Sequence, residues 1–126
     1  MRPEMTPADR RRSQRHDVNS DVFVVFRSDS SRLGKLKDVS TGGIAFEYPL
    51  FPEYEGVLET NVDIFASQPD FFLLSSVSCK VVYDVRIKKP TFNAIETRRC
   101  GLEFTYLSEQ QGKVLDFLLT NYVIHS

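Results

Sequence analysis

Between Ser76 and Val85 apolar and polar side chains alternate, with Val77, Cys79, Val81, Tyr83 and Val85 on one parity and Ser76, Ser78, Lys80 and Asp84 on the other. A period of two gives a strand one face for a core and one for water, and no helix can be built on it. The rest of the chain repeats the pattern in shorter pieces. Val22 to Phe26 is a continuous apolar, β-rich run; Lys35 to Val39 and Ile44 to Tyr48 follow. Leu58, Thr60, Val62 and Ile64 then alternate with Glu59, Asn61, Asp63 and Phe65, and a last strand puts Cys100, Leu102, Phe104 and Tyr106 on one face. Between these segments the sequence predicts a polar turn at Ser28 to Gly34, a loop at Pro49 to Gly56, a break at Ser67-Gln68-Pro69-Asp70 and a loop from Lys88 to Glu96.

At Ser108 the period changes. Ser108 with Gln111 three residues on has the form of a capping box, and Val114, Leu115, Leu118, Leu119 and Tyr122 then recur at helical spacing. This predicts an α-helix over about 108–123, in which Gly112 costs ~1 kcal/mol relative to alanine, so packing has to supply most of its stability. Six strand candidates with antiparallel-length connections and one terminal helix describe an all-β fold, a small six-stranded antiparallel β-barrel with a C-terminal α-helix. Closure would remove the sheet edges. Periodicity by itself fits a sandwich equally.

A chain of 126 residues suits one domain, read here as a flexible segment 1–8 and a barrel domain 9–126. Ten Phe and five Tyr make a globular composition, and no run approaches a membrane span. The charged amino terminus lacks a signal-peptide core, so a cytoplasmic protein is expected. In that setting Cys79 and Cys100, both on the apolar register of strands, read as buried free thiols. His16 and His125 lie near opposite ends with no ligand spacing around them, and neither a metal nor a cofactor is expected. Charge is unevenly placed. Residues 1–16 hold five Arg against Glu4 and Asp9, while the remainder carries eleven Lys and Arg against fifteen Asp and Glu. A basic arm on an acidic body attracts a localised anion and argues against a nucleic-acid or membrane partner.

The corner Asp38-Val39-Ser40-Thr41-Gly42-Gly43, between two strand segments, could be an ordinary hairpin turn. Its tandem glycines permit positive φ and close approach to the backbone. Asp38 and Ser40, two apart, would project the same way. The amino-terminal run Arg10-Arg11-Arg12-Ser13-Gln14-Arg15 adds a second feature: a short helical turn from Pro7 to Gln14 would put Arg11 and Arg15 on one face. Arg11 and Arg15 fit Arg-x-x-x-Arg, and Asp38, Ser40 and Gly43 fit Asp-x-Ser-x-x-Gly. In this order and separation the pair resembles the PilZ domain, a bacterial family that binds cyclic di-GMP (c-di-GMP), over roughly Asp9 to Tyr122 and at all five motif positions.

That resemblance implies a barrel whose ligand combines guanine edges with two phosphates. Arg11 and Arg15 would fork onto guanine O6 and N7 or onto phosphate oxygens, a geometry lysine does not reproduce. Asp38 would accept from the guanine N1–H and exocyclic amine, Ser40 would add a hydroxyl, and Gly42 and Gly43 would leave room for the base. Arg10 and Arg12 would supply further charge, and Arg98 a phosphate contact. No nucleophile with its base, and no phosphate loop, points to an enzyme. The expected role is a receptor whose arm folds over the barrel on binding and is read by a separate protein effector. A ligand-independent adaptor of the same fold is the alternative. Stacking of single-stranded nucleic acid on exposed Phe and Tyr is disfavoured by the acidic body.

Overall fold

The structure, a computed structural model, describes residues 15–18, 21–27, 29–50, 59–68, 70–88 and 95–124. The elements run β1 (His16–Asp17), β2 (Phe23–Phe26), β3 (Asp29–Val39), β4 (Gly43–Leu50), β5 (Glu59–Ala66), β6 (Phe72–Lys88), β7 (Glu96–Tyr106) and α1 (Glu109–Asn121). Sheet order β3-β2-β5-β6-β7-β4 closes through a β3–β4 pairing into an antiparallel barrel of six strands, with β1 added beside β3. The six expected strands are the six of the barrel. Its interior is filled by alternate residues of the strands, Val24 and Phe26, Leu36, Ile44, Phe46 and Tyr48, Val62 and Ile64, Cys100 and Leu102, and in β6 by Leu74 and Val77 on either side of an inserted residue.

Four features depart from the sequence pattern, each because pairing overrides local composition. Residues 29–34 belong to β3, paired with β2 from Phe23↔Lys35 to Phe26↔Asp29, and not to a polar turn. Pro49 lies in β4 opposite Thr97 of β7. The β3 partners of β4 end at Glu47, so a missing N–H there breaks no second ladder. A register shift between Val81 and Tyr83 reverses the parity of β6. Beyond it Asp84 comes to lie opposite the buried Cys100, while Tyr83 and Val85 are exposed. A second shift, opposite Ser78, carries Tyr106 off the Leu102 face and into solvent.

α1 packs against β6. The Ser108 side chain accepts from the Gln111 N–H (3.1 Å), and the Gln111 side chain accepts from the Ser108 N–H (2.9 Å). The Gln111 amide also donates to the Ser75 carbonyl (2.8 Å), at a point where Ser75 and Ser76 together oppose Asp63 of β5. Ser76 takes φ 55° there, and its N–H donates to Asp63 Oδ1 (2.7 Å). Leu115, Leu118 and Tyr122 are buried, with the Tyr122 ring 4.9 Å from Phe72 and its hydroxyl donating to the Asp70 carbonyl. Past the helix the chain returns to the amino-terminal side. Val123 bridges Val18, and the Ile124 N–H donates to the Asp17 carbonyl (2.8 Å).

Candidate ligand-binding site

Asp38 stands near the end of β3, opposite Ala45 of β4 and Asp17 of β1. Ala45 in turn lies opposite Gly101 of β7, so the floor beside the carboxylate is low, made of two small residues that are both buried beneath their larger neighbours. Two arginines close on it. Arg15, just ahead of β1, donates from Nη1 to Asp38 Oδ1 (2.7 Å), and Arg99 of β7 donates from Nη2 to Oδ2 (2.9 Å). Arg99 also reaches Glu47 Oε2 (3.1 Å), which its register pairing with Glu47 makes a direct cross-strand contact. The Arg15–Asp38–Arg99–Glu47 chain is only partly open to water, with the Asp38 side chain 14 % exposed.

Tyr83 forms the far wall. Its ring lies on Gly101, where a side chain would be driven into it. A hydrogen bond with Tyr83 is the largest influence holding the Arg99 guanidinium above its ordinary pKa, against a smaller opposing effect of burial. Arg99, Glu47 and Tyr83 were not legible as site residues. Arg99 shares a parity with Gly101, but only the β4–β7 register shows that this parity faces Asp38.

The glycine corner works differently from expectation. Ser40 is 2 % exposed; its Oγ accepts the Gly42 N–H (3.1 Å) and its own N–H donates to the Gly43 carbonyl (2.9 Å). The Gly42 carbonyl accepts from the Phe104 N–H (2.9 Å), which sews the corner to β7. Among the described residues no glycine has positive φ. What position 43 requires is the absence of Cβ, because one would run into the Leu102 carbonyl of β7. Glycine there serves first to let two strands close.

Arg98 does not join Asp38. Its neighbour in sequence projects to the opposite face, and Arg98 lies across from Tyr48. It donates to Asp84 Oδ1 (3.0 Å), Glu96 Oε1 (2.8 Å) and the Asp84 carbonyl (2.6 Å). The Tyr48 hydroxyl donates to the same Asp84 carboxylate (2.9 Å). Bonding to Glu96 first, and to Asp84, raises the Arg98 pKa, and its charge is committed to these partners. The phosphate contact expected of Arg98 is therefore not supported. Arg10, Arg11, Arg12 and the expected helical turn lie outside the described residues. Among the described residues no group of His, Cys, Asp and Glu could hold a metal ion, and no helix is long and apolar enough to cross a membrane.

No curated protein matches this chain. The PilZ domain of YcgR from Escherichia coli, described with c-di-GMP, is similar to it with TM-score 0.64 and 18% identity over 88% of this chain and 89% of that one. YcgR from Escherichia coli, described as a crystal structure in complex with c-di-GMP, aligns with TM-score 0.57 and 17% identity over 88% of this chain and 45% of that one. At these identities the likeness is one of fold. The family model described as "PilZ domain" matches residues 9–121, nearly the whole chain and the whole of the barrel. With the barrel, the corner and the arm's last arginine already in place, the chain belongs to the PilZ domain family.

Proposed function

We propose that this protein is a receptor for c-di-GMP, which it binds between the basic amino-terminal arm and the Asp38 corner. One observation carries the reading: the arm's last arginine, Arg15, is seated on the motif aspartate, at 2.7 Å. Two residues 23 positions apart in sequence thus form one charged site. The similarity to PilZ domains described with c-di-GMP supports the same ligand.

The chemistry follows from the groups present. A carboxylate offers two acceptor oxygens to the two donors on the guanine Watson–Crick edge. Arg15, and Arg11 four residues before it, can fork onto O6 and N7 or onto phosphate. The patch formed by Arg15 and Arg99 with Asp17, Asp38 and Glu47 carries a formal charge of −1, which cannot hold a doubly anionic ligand. Arg10, Arg11 and Arg12 would bring it to +2, so the arm has to fold over the ligand for the charges to balance. Ser40 and the two glycines shape the corner. A changed arm can be communicated because its base, at Asp17 and Val18, is hydrogen-bonded both to β3 and to the segment after α1. A separate protein partner would read that change.

Calorimetric titration with c-di-GMP tests the reading. Saturable binding is expected, weakened at least about tenfold by Asp38→Ala or by Arg15→Ala, since each removes a charged hydrogen bond to the ligand. Ser40→Ala should cost less. Absence of saturable binding by folded protein at high micromolar ligand would refute it.

A further inference from the structure

We infer that Arg99, outside both sequence motifs, is a specificity-determining positioning residue that sets the plane of the Asp38 carboxylate for the guanine edge. The inference rests on the c-di-GMP reading of the site. Guanine differs from other purines in presenting N1–H and a 2-amino group side by side. A carboxylate takes both donors only when its two oxygens lie in the plane of the base. An aspartate side chain has a broad terminal torsion, so something has to fix it.

Asp38 has two holders, and they differ in kind. Arg15 grips Oδ1 from just ahead of β1, outside the barrel strands. Arg99 grips Oδ2 from the middle of β7, where it is paired with Glu47 on one side and Val85 on the other. Its guanidinium is itself fixed by Glu47 (3.1 Å), beside Tyr83, whose ring rests on Gly101. When Arg15 turns from Asp38 to the ligand, Oδ1 is released and Oδ2 stays anchored by Arg99. Each carboxylate oxygen has two lone pairs, so Oδ2 can keep Arg99 and still accept from guanine. Arg99 therefore acts through Asp38 and need not touch the ligand.

The test pairs a change in the protein with a change in the ligand. Cyclic di-inosine monophosphate keeps N1–H and both phosphates but lacks the 2-amino groups. For the parent protein, removing the amines should weaken binding about tenfold or more, because one acceptor is left unpaired. For Arg99→Gln the preference should fall to about threefold or less, with c-di-GMP affinity reduced and the inosine ligand little affected. Arg99→Lys, which keeps the charge but not the fork joining Asp38 to Glu47, should behave like Arg99→Gln. An unchanged preference in Arg99→Gln overturns the inference, since Arg99 would then be a general attractor of anions; so does recovery of the preference by lysine. Failure of the parent to bind c-di-GMP at all would instead refute the functional reading beneath it. Thermal unfolding of each variant confirms that binding is measured on folded protein.

Discussion

Glycine at two positions of this chain answers to opposite demands. At Gly43 a Cβ would meet the Leu102 carbonyl, which belongs to backbone and cannot swing away. At Gly112, in the first turns of α1, a Cβ would meet nothing within 4 Å. Gly112→Ala should therefore stabilise the protein by about 0.5 to 1 kcal/mol through lost backbone freedom in the unfolded chain, and Gly43→Ala should destabilise it by about 1 to 3 kcal/mol. Urea midpoints of the two variants measure this directly. A stabilised Gly43→Ala would show that the β4–β7 contact relaxes freely. The residues of the candidate site separate in the same way. Asp38, Ser40 and Gly43 were legible because their types and spacing are fixed by the corner they make. Arg99 was not, since nothing near it in sequence distinguishes it from Arg98. The two adjacent arginines serve opposite faces, one binding Asp38 and Glu47 and the other Asp84 and Glu96.

At the scale of elements, α1 is held by its buried apolar stripe and, in addition, by its first turn. Ser108 and Gln111 satisfy each other's backbone N–H groups, and the Gln111 amide also docks on the β6 kink at Ser75. Ser108→Ala should cost about 1 kcal/mol by the usual worth of such a cap. Gln111→Ala should cost more, because it removes the cap's second half and the tie to β6 together; chemical denaturation of both variants compares them. The helix and six strands were readable from period and capping chemistry. β1 was not, being two residues long and defined only by its pairing with Val39 and Asp38. The parity of β6 beyond Val81 was misread for a related reason. A bulge adds one residue without altering the alternation of the sequence, so the faces exchange unseen. That exchange moves Tyr83 from the core to the site wall and brings Asp84 to Tyr48 and Arg98.

For the molecule as a whole, the closed barrel has two titratable thiols inside it. Burial pushes both Cys79 and Cys100 up to about 12 from an ordinary 9.0, with Asp84 a second cause at Cys100, and burial likewise raises the Tyr48 phenol. A group whose pKa is higher folded than unfolded keeps its full contribution below the unfolded value. Stability is then lost as pH rises toward the folded value, because the unfolded chain releases protons first. Unfolding free energy should accordingly fall between pH 9 and about 12, by on the order of 1 kcal/mol per pH unit for each thiol. Cys79→Ala should flatten that slope in a series of denaturation curves, whatever its cost at neutral pH. At neutral pH both thiols should stay unreactive to alkylation until the barrel opens.

Amide NMR spectra recorded during titration with c-di-GMP would show whether the cationic arm and the carboxylate corner meet around a guanine dinucleotide. Signals of residues 10–15 and 38–43 should shift together, saturating at the same ligand concentration, and Asp38→Ala should abolish both sets of shifts. Spectra in which both regions stay fixed while the ligand is present in excess would contradict this.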